Sequence, residues 1–160
     1  TRTGSPLSGL SCPHASRHAP EHGHKAVRVL IVEDHPLMLS GVRDVVIEVW
    51  PQAICEGVAD AAAALRALSR ENDYTFVCVD LRLPDLDGIE LIRQLCARRP
   101  SLPVAVLSAN EHPLSVQQAI DAGAQGYLFK SLSRDEMLDA LRQFTTVGHY
   151  LPPALRAVLT

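Results

Sequence analysis

Thr75-Phe76-Val77-Cys78-Val79 is an almost wholly apolar run that stops at Asp80. A strand buried on both faces reads this way, as a continuous apolar run rather than an alternating one. The turn Pro84-Asp85-Leu86-Asp87-Gly88 follows, and then a stretch that places Ile89, Ile92, Leu95 and Cys96 on one helical face. A strand feeding a helix in this manner is the repeating unit of a parallel sheet.

The unit recurs outward in both directions. Upstream, Val27–Val32 is a buried strand, and Pro36 opens a helix with Met38, Val42, Val45, Val46 and Val49 inward, ended by Trp50-Pro51. Ala53–Ala59 reads as the second strand and Asp60–Arg70 as an alanine-rich helix capped by Asp60. Downstream, Pro103–Leu107 is the fourth strand, and a helix over Leu114–Ala122 is stopped by Gly123. Gly126–Phe129 is a short fifth strand. The last helix starts with the capping box Ser133-Arg-Asp-Glu136 and buries Met137, Leu141 and Phe144. Strands alternating with helices predict an α/β fold: a five-stranded parallel sheet, doubly wound, with both faces covered. Such sheets bind ligands beyond the carboxyl ends of their strands.

Composition narrows the function classes. The chain has 160 residues, 47% hydrophobic and 21% charged, with a net charge of −3. That excludes a wholly disordered chain, and it argues against nucleic-acid binding through bulk positive charge. No apolar run approaches the ~20 residues needed to span a bilayer, so no membrane partner and a cytoplasmic location are expected. Cys12, Cys55, Cys78 and Cys96 lie far apart without a CxxC pair, which reads as core filling rather than zinc binding. Residues 1–26 are rich in Gly, Pro, Ser and His and read as a flexible leader. Its His14, His18, His22 and His24 have no partner ligands to fix a metal geometry. Residues 27–147 form the folded domain, and 148–160 read as the start of a linker. Thirteen arginines stand against only two lysines, Lys25 and Lys130, so the lysine directly after Gly126–Phe129 calls for a specific role.

The strand ends carry the chemistry. The first ends in Glu33-Asp34, the third in Asp80, the fourth in Ser108 and the fifth in Lys130. Singly, each has a structural reading as a helix cap, a loop start or a solvated charge. Together they gather three carboxylates, a hydroxyl and an amine at one sheet edge. Carboxylates crowded together resist ionisation unless a cation joins them, and hard oxygen ligands suit Mg²⁺. Asp80, presented rigidly beside the metal, is then a nucleophile toward phosphorus, with Lys130 and Ser108 to stabilise transferring oxygens.

Val29–Val46, Val77–Leu91, Val104–Asn110 and Ala124–Leu132 resemble the receiver domain of two-component response regulators. The Glu33-Asp34-His35-Pro36 segment and the late Gly148-His-Tyr-Leu-Pro-Pro-Ala-Leu155 segment are similar to the NarL/FixJ (LuxR-type) subfamily. The resemblance implies a flavodoxin-like strand order of 2-1-3-4-5. It implies Asp80 as phosphoacceptor, and Glu33, Asp34, Asp80 and the Arg82 backbone carbonyl as Mg²⁺ ligands. Lys130 matches the phosphate-contacting lysine, Ser108 the hydroxyl of the switch and Tyr127 its aromatic partner. On phosphorylation Ser108 is expected to move and vacate space into which Tyr127 turns. Arg82 and Asn110 are candidates for setting phosphate lifetime. Two departures stand out: Glu33 replaces the commoner Asp, and Ser131 stands where many receivers have Pro, leaving that peptide geometry open.

The implied partners are a sensor histidine kinase, a second copy of the chain on phosphorylation, and DNA only through a C-terminal helix-turn-helix domain that these residues do not contain. A truncated receiver is the favoured reading over a stand-alone one. The chain is expected to be no enzyme beyond catalysing its own phosphorylation and dephosphorylation. An aspartyl-phosphate enzyme is disfavoured because Arg82 stands where a second acid would be needed. Neither GxxxxGK[ST] nor GxGxxG occurs. The alternative is a receiver-like interaction module that works without phosphate.

Overall fold

The computed structural model describes residues 26–158; Cys12 and the histidines of the expected leader lie outside the described residues. Five strands and five α-helices alternate: β1 (Arg28–Val32), α1 (Pro36–Val49), β2 (Ile54–Val58), α2 (Ala61–Arg70), β3 (Phe76–Asp80), α3 (Gly88–Arg98), β4 (Val104–Ser108), α4 (Pro113–Ala122), β5 (Gly126–Phe129) and α5 (Arg134–Val147). The sheet is parallel throughout, in the order β2-β1-β3-β4-β5. This is the expected doubly wound, flavodoxin-like topology. β1, β3 and β4 are the central strands, which explains why they read as unbroken apolar runs.

The pleat divides the core in two. Val29, Ile31, Phe76, Cys78, Ala105, Leu107 and Leu128 face α1 and α5, where Val42, Val46, Leu141 and Phe144 meet them. Leu30, Val32, Val77, Val79, Val104, Val106 and Tyr127 face the opposite way, toward α2, α3 and α4. Phe144 lies over β5 because Gly126 leaves the room: a Cβ there would stand 2.7 Å from the Phe144 ring. Cys78 is buried, Cys55 and Cys96 are half-buried, and all three are free thiols, in keeping with core filling.

Helix ends follow their capping chemistry closely. Asp60 accepts from the Ala63 N–H at 2.8 Å. Ser133 and Glu136 form the reciprocal capping box at α5. Gly123 ends α4 at φ +123°, in the left-handed region that a side chain disfavours. Several boundaries differ from expectation by one residue. Asp80 and Ser108 are the last residues of their strands rather than the first beyond them, and β2 is shorter at both ends. α4 begins at Pro113 because the His112 ring accepts from the Leu114 N–H at 3.0 Å and acts as the cap.

The segment after α5 returns to the sheet. Tyr150 pairs in parallel with Gly126, its carbonyl accepting from the Tyr127 N–H at 3.1 Å and its N–H donating to Gln125 O at 3.0 Å. A short 3₁₀ turn over Pro153–Leu155 then buries Leu155. The edge of β5 is thereby partly covered, as exposed sheet edges generally are.

Candidate functional site

Parallel register brings the polar strand ends to one edge. Asp80 is opposite Leu107 and Ser108 opposite Phe129. The ladder continues one step beyond, where the Glu33 N–H donates to Val58 O at 2.9 Å and the Lys130 N–H to Ser108 O at 2.8 Å. Glu33, Asp80 and Ser108 are each only 2–3% exposed, the three buried polar residues among the described residues in an otherwise apolar core.

Lys130 Nζ lies between two of the carboxylates, 3.0 Å from Glu33 Oε1 and 3.3 Å from Asp80 Oδ2. Apart from these charge contacts, and that of His35 Nδ1 with Asp34 Oδ1 at 3.2 Å, Glu33 Oε1, Asp34 Oδ1 and Asp80 Oδ2 are buried without a hydrogen-bond partner among the described residues. Glu33, Asp34, His35 and Asp80 each offer a ligand atom, all within 4.8 Å of one another. Buried carboxylate oxygens that share so few donors are what a cation would satisfy, so this acidic pocket fits a metal ion.

The charges are unequal. Burial opposes ionisation of Glu33, but the Lys130 ammonium and two contacts from His35 outweigh it and hold its pKa below the ordinary 4.5. Burial dominates at Asp80; with repulsion from Glu33 it exceeds the help of the Arg82 N–H and Lys130, and the pKa lies above the ordinary 3.8. Burial also works against the Lys130 ammonium, yet the two carboxylates prevail and raise it above 10.5. The site therefore holds a firmly ionised Glu33, a committed ammonium and a destabilised Asp80 carboxylate.

A cavity of about 260 Å³ opens over Asp80, lined by His35, Arg82, Ser108, Asn110 and Lys130. Of the candidate catalytic, metal-holding, switch and lifetime residues, all but Tyr127 either line this cavity or belong to the acidic cluster beside it. Arg82 donates its N–H to Asp80 Oδ1 at 3.3 Å. Asn110 is tied into its own loop: its N–H donates to Ser108 Oγ at 3.0 Å, and its Oδ1 accepts from the His112 N–H at 3.0 Å. The Lys130–Ser131 peptide is trans, since the described residues contain no cis bond, and the Ser131 hydroxyl donates to Glu111 Oε2 at 2.6 Å.

Tyr127 is placed inward. Its ring is fully buried and its hydroxyl donates to Asn110 O at 2.7 Å, while Ser108 Oγ still accepts from Asn110. Tyr127 thus lies inward in this structure while Ser108 Oγ is bonded to the Asn110 N–H. Burial raises the phenol pKa above its ordinary value. The residue overlooked in the sequence is His35, whose Nδ1 lies 3.1 Å from Glu33 Oε2 and 3.2 Å from Asp34 Oδ1. Its place directly after the acidic pair was the available signal.

Comparison with known proteins points the same way. The family model described as the response regulator receiver domain matches residues 29–142. The chain is 32% identical over 126 residues to the glycerol metabolism activator of Pseudomonas putida, covering 79% of this chain and 57% of that protein. It is 30% identical over 131 residues to the nitrate/nitrite response regulator protein NarL of Escherichia coli K12, covering 82% and 60%. It therefore spans less than two thirds of the length of these relatives. Among solved structures it is similar to a LuxR-family two-component response regulator from Aurantimonas sp. SI85-9A1, with a TM-score of 0.74 and 27% identity, covering 84% of this chain and 96% of that one. It is also similar to the isolated REC domain of RcsB from Salmonella enterica serovar Typhimurium, with a TM-score of 0.72 and 26% identity, covering 85% and 100%.

Proposed function

This chain belongs to the response regulator receiver domain family, among NarL-, UhpA- and LuxR-type relatives, and from that premise we propose that it is a phosphorylation-dependent switch whose acceptor is Asp80. The observation that carries this reading is the Asp80 carboxylate, which lines a cavity of about 260 Å³ while its buried Oδ2 lies 3.3 Å from the Lys130 ammonium and has no hydrogen-bond partner among the described residues. In support, the similar RcsB receiver was determined in the presence of the phosphomimetic BeF₃⁻.

An Asp80 carboxylate oxygen attacks phosphorus of a phosphohistidine on a sensor histidine kinase. The P–O bond forms as the P–N bond breaks, and the imidazole leaves as the neutral ring after taking up a proton. Glu33, Asp34, Asp80 and the Arg82 carbonyl would hold Mg²⁺, which when bound neutralises charge between the carboxylates and the phosphoryl oxygens. Lys130 supplies a fixed ammonium and Ser108 a hydroxyl to those oxygens. Arg82 and Asn110 line the approach of an attacking water and set the lifetime of the phosphorylated form. The chain is no enzyme toward a separate substrate; it catalyses its own modification and reversal.

Phosphorylation adds about two negative charges at Asp80. Ser108 then turns to a phosphoryl oxygen, which alters the Asn110 loop and with it the hydroxyl contact of Tyr127. The altered face promotes pairing with a second copy and controls a C-terminal DNA-binding domain beyond these residues, in the cytoplasm. No helix among the described residues is long and apolar enough to cross a membrane.

The test is intact mass after incubation with acetyl phosphate, with Mg²⁺ and with EDTA, beside Asp80→Asn. One added phosphoryl group that requires both Mg²⁺ and Asp80 is the expected result. The inward Tyr127 favours one other reading, a module that signals without phosphate. Absence of any mass gain in folded, Mg²⁺-binding protein, from acetyl phosphate and kinase alike, would establish that reading instead.

A further inference from the structure

α2 satisfies its first N–H groups from two different places. The Ala63 N–H goes to the local cap Asp60. The Ala61 and Ala62 N–H groups instead go to the two carboxylate oxygens of Asp85, at 2.9 and 3.0 Å, from the loop between β3 and α3. A carboxylate is well placed there, since adjacent N–H groups and the helix dipole both favour an anion. At the opposite end of α2, the Arg99 guanidinium donates to the Leu68 and Glu71 carbonyls. The unit formed by β3, its loop and α3 thus grips both ends of α2, with an anion at the amino end and a cation at the carboxyl end.

The same loop carries Arg82. Its base is closed by the Gly88 N–H donating to Leu81 O at 3.0 Å and by an antiparallel bridge between Arg82 and Asp87. Approach is so close that a Cβ on Gly88 would stand 2.5 Å from Leu81 Cα and 2.8 Å from Asp80 O. Beyond that base, Asp85 supplies the hydrogen bonds that fasten the loop to a neighbouring element.

Resting on the reading of Asp80 as a phosphoacceptor beside a divalent cation, we propose that Asp85 is a positioning residue. By clasping the loop onto α2 it holds the Arg82 backbone in place at the acidic cluster, without touching the phosphoryl group or the metal. In the sequence it passes for one more acidic turn residue between Pro84 and Asp87.

The experiment is calorimetric titration of the chain with Mg²⁺, for the wild type, Asp85→Ala, Asp85→Asn and Asp60→Ala, with a thermal melt of each. Residues that orient a metal site from outside it commonly change affinity by a factor of ten or more, so Asp85→Ala should weaken Mg²⁺ binding about tenfold. Asp85→Asn keeps one acceptor and should fall between, and it carries the comparison if the alanine variant is not folded. Asp60→Ala removes a cap from the same helix but leaves the loop fastened, so its melting temperature should drop with Mg²⁺ affinity unchanged. Wild-type affinity in both Asp85 variants, or an equal loss in Asp60→Ala, overturns the proposal while leaving the phosphoacceptor reading intact. A wild type that binds no Mg²⁺ overturns both.

Discussion

Asp80→Asn should make the protein more stable, not less, in the absence of divalent metal. The Asp80 and Glu33 carboxylates lie within 4.8 Å, a repulsion of about 3.5 kcal/mol at an effective dielectric of about 20. Asp34 adds less because it is about a third exposed. Lys130, at 3.3 Å, returns about 5 kcal/mol on the same scale. These contributions nearly cancel, so burial of the Asp80 charge decides the sign, as its raised pKa also indicates. A gain of about 1–2 kcal/mol is expected, or about 3–8 °C in Tm. Thermal melts in EDTA at neutral pH and low salt would measure it. Adding Mg²⁺ at about 100 times its Kd should then stabilise the wild type by about 2.7 kcal/mol and the variant by much less.

The pH dependence has a definite sign. Above its raised folded pKa, Asp80 imposes its full penalty, and the penalty is relieved as pH falls toward the ordinary value of 3.8. The advantage of Asp80→Asn should therefore shrink on acidification. Glu33 behaves oppositely: with its pKa below 4.5, its contribution is present above that value and is lost as pH falls further. An Asp80→Asn variant no more stable than wild type in EDTA, or one that gains equally from Mg²⁺, would refute the balance of forces described at this site.

Tyr127→Phe removes only the hydroxyl donated to Asn110 O. It should cost about 0.5–1.5 kcal/mol in a denaturant melt and leave phosphorylation by acetyl phosphate intact. Tyr127→Ala would instead empty a fully buried site, losing about 3–5 kcal/mol and obscuring any effect on signalling. Ser133→Ala breaks the capping box of α5 and should lower stability by about 0.5–2 kcal/mol without changing Mg²⁺ affinity. Trp50 packs on Phe76, at the far end of the sheet. It is separated from the acidic cluster by the 14 residues of α1, about 21 Å, so its emission should stay constant through a Mg²⁺ titration that calorimetry detects.

The fold was legible because its causes are local. Apolar runs of strand length, a proline at the start of α1, Gly123 after α4 and the Ser133–Glu136 box each act within a few residues. The candidate site was legible for a related reason. Parallel strands end on one side, so Glu33, Asp80, Ser108 and Lys130 are carried to the same edge of the sheet. The start of α4 shifted because His112 supplied an unforeseen cap.

Only the tertiary structure decided the contacts between segments distant in the chain. Asp85 caps a helix 24 residues upstream, Arg99 holds the other end of that helix, and Tyr150 lies along β5. Nothing in the local pattern around these residues distinguishes them from ordinary turn, helix-end or linker residues. The same holds for rotamers: a tyrosine on a strand fits either an inward or an outward ring, and the Asn110 carbonyl selects the inward one. Periodicity and capping chemistry specify which faces are buried. Which particular donor meets which acceptor across the sheet edge depends on distances that exist only once the elements have packed.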